Sequence, residues 1–221
     1  MRGIVKLSES EKYFSIDRVE GFWWKTKLFN VYKDSRRIGN IQAKIIASSL
    51  LVGKLEFFIK INGPEIDIEG NVAISYLGSY FFEDLNFKIN PIRKFKKGKT
   101  VYQVLSSIKG KINLLEFNSE RCLKANGLAT ATLMDGFGIF SRNVALNINM
   151  LCKERNLEMK FSSANADLLE GEMIIQPDLN YVLVARSNRI ANKLRELSKL
   201  QFRNRPTVKL SGELKDILDY L

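Results

Sequence analysis

The 221-residue chain contains no histidine, and this absence restricts its chemistry before any motif is considered. Without imidazole there is no histidine general base, no Ser-His-Asp or Cys-His nucleophile system, and no zinc site with a histidine ligand. Only two cysteines are present, so one chain cannot build a four-thiolate zinc site or a four-cysteine iron–sulfur cluster. These absences make most catalytic mechanisms impossible and leave a basic, phenylalanine-rich domain without histidine.

Long apolar runs are also missing. No uninterrupted stretch approaches the roughly 20 apolar residues that a membrane-spanning helix needs. The first ten residues lack the apolar centre of a signal peptide. Taken literally, the sequence is that of a cytosolic protein; alternatively, a leader or membrane anchor precedes residue 1. The sequence alone leaves both interpretations open.

What is present favours one folded β-rich domain. Apolar residues make up 45% of the chain, which is enough for a hydrophobic core and excludes wholesale disorder. No linker rich in proline or serine divides the sequence, so we predict a single domain over residues 1–221.

Alternation of apolar and polar residues is the dominant pattern, as expected for half-buried strands. Glycines within or just after several of these segments indicate bulges or bends. We predict a mainly β fold: a strongly curved antiparallel sheet of successive hairpins, an open half-tube or incomplete barrel, with one or two short helices. The predicted strands cover residues 54–61, 65–74, 85–90, 108–114, 127–133, 144–150, 157–161, 167–175, 180–186 and 207–214.

Two segments depart from this alternation and predict the helices. Residues 100–108 and residues 189–200 place apolar side chains three or four positions apart. Asn188 is suited to cap the second helix at its N-terminus.

Positive charge is concentrated in two segments, within 88–99 and 186–209. Lysine and arginine number 35 against 24 acidic residues, giving a formal charge of +11. Such clusters can neutralise the phosphates of nucleic acids or of anionic membranes. Alternatively, they bind no partner, and the first is a solvated loop and the second a solvated helix face. The candidate contacts to an anionic partner are Arg93, Lys94, Lys96, Lys97, Arg186, Arg189, Lys193, Arg195, Lys199, Arg203 and Arg205.

Nucleic acid is the weaker of these partners. Sequence-specific RNA-binding sheets place aromatic residues beside lysines and glycines to stack bases, and no such run occurs here. Most phenylalanines alternate with polar residues along predicted strands, which indicates a core position.

The acidic residues give no catalytic pair. Asp67 and Glu69 share the exposed face of one predicted strand, and Glu83 and Asp84 end another. A solvated face explains both pairs, so we predict no catalytic residues, no metal site and no cofactor.

The two cysteines allow either of two states. Cys122 and Cys152 can form one disulfide in an oxidising compartment, or they can be two small buried side chains. Composition leaves both states open.

The order of short motifs between residues 20 and 214 is more specific than any one motif. In that order they resemble protein N of the bacterial type II secretion system. Two features differ from that family: Lys25 stands where a small residue is usual, and the N-terminal membrane anchor is not in this sequence. The motifs are Gly21-Phe-Trp-Trp24, Arg37-Ile-Gly-Asn-Ile41, Ser49-Leu-Leu-Val-Gly-Lys-Leu55, Asn62-Gly-Pro64, Glu69-Gly-Asn-Val72, Cys122-Leu-Lys-Ala-Asn-Gly127, Leu151-Cys152, Leu169-Glu-Gly-Glu-Met173 and Leu210-Ser-Gly-Glu-Leu214.

This resemblance implies a non-enzymatic accessory component of the apparatus that exports folded proteins across the outer membrane. It implies an inner-membrane anchor, a periplasmic domain, other secretion components as protein partners, and a Cys122–Cys152 disulfide. The family is also distantly similar to AsmA-type proteins, whose curved sheets form open half-tubes with an apolar inner face. An alternative function is therefore lipid handling, with acyl chains in the half-tube and basic clusters at phospholipid headgroups or the inner-membrane surface.

Overall fold

A computed structural model describes residues 14–33, 36–90, 95–97, 100–102, 105–133, 144–164, 169–187 and 207–213. Most of these residues are in strands, and the one helix among them is a short 3-10 helix, Ala47–Val52. The strands are β1 (Phe14–Phe22), β2 (Lys25–Lys33), β3 (Arg36–Ile46), β4 (Lys54–Asn62), β5 (Ile66–Ser75), β6 (Tyr80–Ile89), β7 (Phe95–Lys97), β8 (Thr100–Tyr102), β9 (Leu105–Phe117), β10 (Cys122–Leu133), β11 (Val144–Lys153), β12 (Asn156–Ser163), β13 (Glu170–Ile175), β14 (Asn180–Arg186) and β15 (Thr207–Glu213).

Thirteen of the strands form one antiparallel sheet whose order follows the chain. Only β7 and β8 lie outside it, where they pair with each other as a separate hairpin between β6 and β9. Within the described residues, β1 and β15 each pair on one side only, so the sheet is open. The predicted mainly β architecture of successive hairpins is confirmed.

The register aligns apolar residues across the whole width of the sheet. Residues directly opposite each other in neighbouring strands lie on the same face. One such row runs from β1 to β15 and contains only aliphatic residues, phenylalanine, alanine and glycine. It consists of Val19, Leu28, Ile41, Ile61, Ile68, Phe87, Gly110, Ala129, Ile148, Phe161, Gly171, Ala185 and Val208.

The neighbouring row lies on the opposite face and is almost entirely polar. This is the result expected when alternating strands keep one register, because a one-residue slip would exchange the two faces. The sheet therefore has an apolar face and a polar face. The polar row consists of Glu20, Lys27, Gln42, Lys60, Glu69, Asn86, Lys111, Leu128, Asn149, Lys160, Glu172, Val184 and Lys209.

The sheet bends so that its apolar face is on the inside. Phe82 in β6 and Ile175 in β13 line the same cavity, although these strands are five positions apart in the sheet. A flat sheet would separate them by about 24 Å. Register shifts between Glu69 and Asn71 and along β10 supply bulges, which increase local bending. The predicted curvature is thus present.

The best-packed part of the apolar face is small. Ala131, Val144, Leu146 and Leu169 are buried, and they are surrounded by partly buried side chains from neighbouring strands. Among the described residues, no large side chain is completely enclosed. The sheet thus covers part of its own apolar face and leaves much of it accessible.

The helix predicted over residues 100–108 is wrong. Thr100–Tyr102 is strand β8, and β9 begins at Leu105. Ile108 lies opposite Ile89 on one side and Ala131 on the other, so sheet pairing outweighs a helical pattern of only nine residues. The second predicted helix, over residues 189–200, lies outside the described residues.

Candidate functional site

The apolar face is the candidate site because the described part of the chain places no second layer over it. Among the described elements, each strand makes its extensive contacts with its neighbours in the sheet, and the 3-10 helix packs against β4. Most side chains of the face are only half-buried, and Leu55, Ile74 and Tyr80 at its edge are exposed. A sheet face of this kind in a monomer usually marks a binding surface.

The face deepens into a cavity of about 220 Å³ at one end of the strands. Its walls are apolar, and the Cys122 side of the disulfide forms part of them. Phe117 stacks on Tyr80, with 5.3 Å between ring centroids, and on Phe82, with 5.9 Å. The main apolar lining residues are Phe82, Leu115, Phe117, Leu157, Ile175 and Leu179.

Two arginines lie at the mouth of this cavity. Arg121 precedes β10, and Arg155 is in the turn between β11 and β12; both also line the cavity and are solvent-exposed. Neither guanidinium forms an ion pair with a carboxylate of the described residues. Asn118 and Gln176 complete the polar rim. An apolar slot with two cations at its entrance suits a ligand with an apolar body and an anionic end.

The disulfide holds this end of the sheet together. Cys122 and Cys152 are bonded, with their Cα atoms 5.5 Å apart, so the pairing implied by the family resemblance is confirmed. The amide of Cys122 also donates a hydrogen bond to the Arg155 carbonyl, at 2.6 Å. The two arginines are therefore carried by segments that are joined covalently and by a hydrogen bond.

The polar face has a different character, since several of its charges are compensated within the sheet. Lys60 pairs with Glu69 at 2.5 Å, and Lys111 pairs with Asp84 at 2.9 Å. Lys160 approaches Glu158 at 3.1 Å. The first two pairs join neighbouring strands on a solvated surface and contribute little stability each. Lys160 and Glu158 lie in the same strand, and Glu158 is buried. The pair with Lys60 gives Glu69 a structural partner, which agrees with its interpretation as a surface residue.

The basic residues predicted as contacts to an anionic partner are not brought together in the described part. Lys96 and Lys97 lie in strand β7. Arg186 ends β14 on the polar face, where it lies opposite Glu170. The remaining residues lie outside the described residues: Arg93, Lys94, Arg189, Lys193, Arg195, Lys199, Arg203 and Arg205.

Other kinds of site have no support in the described residues. They contain no group of three or more acidic or cysteine side chains placed to hold a metal ion. None of the helical structure in them is long and apolar enough to cross a membrane. The chain matches no family model, no curated protein and no solved structure.

Proposed function

We propose that this protein binds lipids and holds their acyl chains against the apolar face of the sheet. The observation that carries the proposal is the row of apolar residues that continues across all 13 strands of an open, inwardly bent sheet. Burial of acyl chains against this face would remove apolar area from water on both sides of the contact.

The chemistry of the face favours an acyl chain over a peptide. Its side chains offer no hydrogen-bonding groups along the row, and the backbone groups beneath them are used in the strand ladders. A peptide laid on this surface would bring amides and carbonyls that the face cannot satisfy, at a cost of roughly 1–3 kcal/mol each. A hydrocarbon chain carries no such groups.

The dimensions also fit. Strands of nine or ten residues, such as β4 and β5, are roughly 30 Å long. One leaflet of a bilayer's hydrocarbon region is about 15 Å thick, so an acyl chain in a similar extended form fits along or across the strands. Arg121 and Arg155 at the mouth of the cavity then favour lipids with an anionic headgroup.

A second function is supported by the order of the sequence motifs and by the disulfide. We propose on these grounds that the protein is a non-enzymatic component of a type II secretion system and works in the periplasm. A disulfide persists in that oxidising compartment, which supports this location. Deletion of the gene in the source bacterium should then reduce export of secretion substrates, and crosslinking should recover other secretion components. Normal export and no crosslinked component would contradict this assignment.

The lipid proposal is tested with two neighbouring phenylalanines on opposite faces. Phe57 lies opposite Ile45 and Val72 on the apolar face, whereas Phe58 lies opposite Lys44 and Asn71 on the polar face. Both side chains are half-buried, so the two substitutions are comparable in their effect on packing. Native mass spectrometry of the purified full chain should detect bound phospholipid, and delipidated protein should take up a fluorescent fatty acid.

Phe57→Gln should weaken that uptake about tenfold, as expected for losing one large apolar contact, and Phe58→Gln should leave it unchanged. Circular dichroism and thermal unfolding of both variants check that the fold persists. Absence of bound lipid together with absence of uptake would refute the proposal. Equal effects of the two substitutions would show that uptake does not use the apolar face.

A further inference from the structure

Exposed large apolar side chains are concentrated at one end of the sheet. Because the strands run antiparallel in chain order, the connections after β1, β3, β5, β9, β11 and β13 all lie at this end. In the described residues, all the exposed large apolar side chains except Phe14, Val19 and Leu128 are found there. We call its first three loops the aromatic rim, formed by Phe22, Trp23, Trp24, Leu50, Leu51, Val52, Tyr76 and Leu77.

The second and third loops of the aromatic rim contact each other, and the first is bonded to β3, the strand that leads into the second. The Trp24 carbonyl accepts a hydrogen bond from the amide of Ile45 at 2.9 Å, and the Gly53 carbonyl accepts one from Tyr76 at 3.2 Å. Phe22 stacks on Trp24 at 5.0 Å between centroids, and Trp23 packs edge-on against Trp24 at 5.4 Å. The rim is thus a connected surface in which the apolar side chains still face solvent.

Its composition matches the interfacial zone of a bilayer. Tryptophan and tyrosine favour the headgroup region, while leucine and valine favour the acyl region below it. None of the three loops contains an acidic residue, and Lys25 follows the first of them directly. Lys54, which follows the second, pairs with Glu83 instead. Leu51 is 90% exposed and Trp23 is 79% exposed, so both can enter a bilayer without any rearrangement of the fold.

The rim is continuous with the apolar face. Leu55, Ile74 and Tyr80 are exposed at the ends of their strands, next to the rim loops, and their side chains lie on the apolar face. An apolar path therefore runs from the rim onto the surface that is proposed to hold acyl chains. A lipid that leaves a membrane at the rim would stay in apolar surroundings along this path.

We propose that the aromatic rim docks on the surface of an anionic phospholipid bilayer and inserts its apolar side chains into it. This inference rests on the proposed lipid-binding function and adds the place where lipid enters or leaves. The occupant is a bilayer because the rim combines interfacial aromatic residues, protruding aliphatic residues and the flanking Lys25, with no acidic charge in its loops. Docking of a protein on the same loops is an alternative outcome of the test below.

The test uses intrinsic fluorescence, because the only two tryptophans of the chain are both in the rim. The full chain is mixed with vesicles of phosphatidylcholine and phosphatidylglycerol in a ratio of about three to one, with and without brominated acyl chains. Docking predicts a blue shift of the emission and quenching by the brominated chains. Leu51→Ser should weaken vesicle binding about tenfold. Leu128→Ser is the matched control, since Leu128 is 61% exposed on the polar face and should have no effect.

Emission that vesicles neither shift nor quench would overturn the inference, and this is the result expected if the rim serves a protein partner. Equal weakening by Leu51→Ser and Leu128→Ser would also overturn it. Uptake of a fluorescent fatty acid without vesicles is measured in parallel to test the proposed function itself. Uptake of fatty acid without quenching of the tryptophans would reject docking of the rim and leave lipid binding to the apolar face in place. Quenching without uptake would support docking of the rim and reject lipid binding to the apolar face.

Discussion

Cys122 and Cys152 bridge β10 to β11 at the end of the sheet where the apolar cavity opens, with their Cα atoms 5.5 Å apart. The bridge lies beside a wall of the cavity, and the amide of Cys122 is also bonded to the turn that carries Arg155. The covalent link therefore stabilises the part of the sheet where the proposed ligand's polar end would bind.

The first prediction concerns this disulfide. Alkylation without reductant should leave the intact mass unchanged, and alkylation after reduction under denaturing conditions should add two adducts. Replacing both cysteines with alanine should lower the free energy of unfolding by about 3–4 kcal/mol in the chain-entropy account of a loop of this length. Two adducts without reductant would contradict the bridge.

The second prediction concerns selectivity for headgroup charge. Arg121→Gln and Arg155→Gln should each weaken binding of phosphatidylglycerol about fivefold, because a cation near an anionic lipid contributes about 1 kcal/mol. Binding of phosphatidylcholine should change little. Arg186→Gln is the control, since Arg186 is exposed at the opposite end of the sheet. If all three variants lose the same affinity for phosphatidylglycerol, the effect comes from net charge and the prediction is wrong.

Much of the sheet could be predicted from the sequence, because most segments from residue 54 onward alternate cleanly, residues 100–108 being the exception that predicted a helix. The first three strands gave no such signal. In β2, Asn30 has a positive φ of 49°, and the pairing with β3 shifts between Leu28 and Val31. This irregularity breaks the alternation of apolar and polar positions, so the strand is hidden from a search for period two.

The candidate site was less accessible to sequence reasoning. Phe22-Trp-Trp24 and Leu50-Leu-Val52 look like core residues by hydrophobicity, and only the antiparallel topology places their loops side by side in solvent. Arg121 and Arg155 belong to different hairpins, and both line the cavity at the end of the sheet where the disulfide joins β10 to β11. The basic clusters within 88–99 and 186–209 are contiguous in sequence, which is why a pattern search finds them and not the two arginines of the cavity.

The third prediction uses two glycines with positive φ. Gly39, at φ 131°, lies against the β4–β5 turn, and an added Cβ would come within 2.2 Å of the Asn62 carbonyl oxygen and 2.5 Å of the Gly63 Cα. Gly39→Ala should therefore destabilise the protein by about 2 kcal/mol or more. Gly78, at φ 77°, has no atom within 4 Å of that position. Gly78→Ala should lower the free energy of unfolding by only about 1 kcal/mol, the cost of placing a residue with a Cβ in the left-handed region. Equal unfolding midpoints in urea would contradict the predicted clash.

The fourth prediction concerns Asp178 in the turn between β13 and β14. The backbone amide of Asn180 donates to Oδ1 of Asp178 at 3.0 Å, and its side-chain amide donates to Oδ2 at 2.7 Å. These bonds, the backbone one first, lower the pKa of Asp178 below its ordinary value. A carboxyl with a lowered pKa in the folded state stabilises the fold above its unfolded pKa, and this contribution is lost as the pH falls through the folded pKa.

Titration of the Asp178 carboxyl followed by NMR should find a pKa below that of an unfolded peptide. Asn180→Ala should raise this pKa only part of the way, because the backbone donor remains, and Asn147→Ala on the distant strand β11 should leave it unchanged. As the pH is lowered, the loss of stability that Asp178 causes should be complete at a higher pH in Asn180→Ala than in the unmodified protein. In Asn147→Ala it should be complete at the same pH. If Asp178 of the unmodified protein titrates at its ordinary pKa, the two hydrogen bonds from Asn180 do not form in solution and the prediction is wrong.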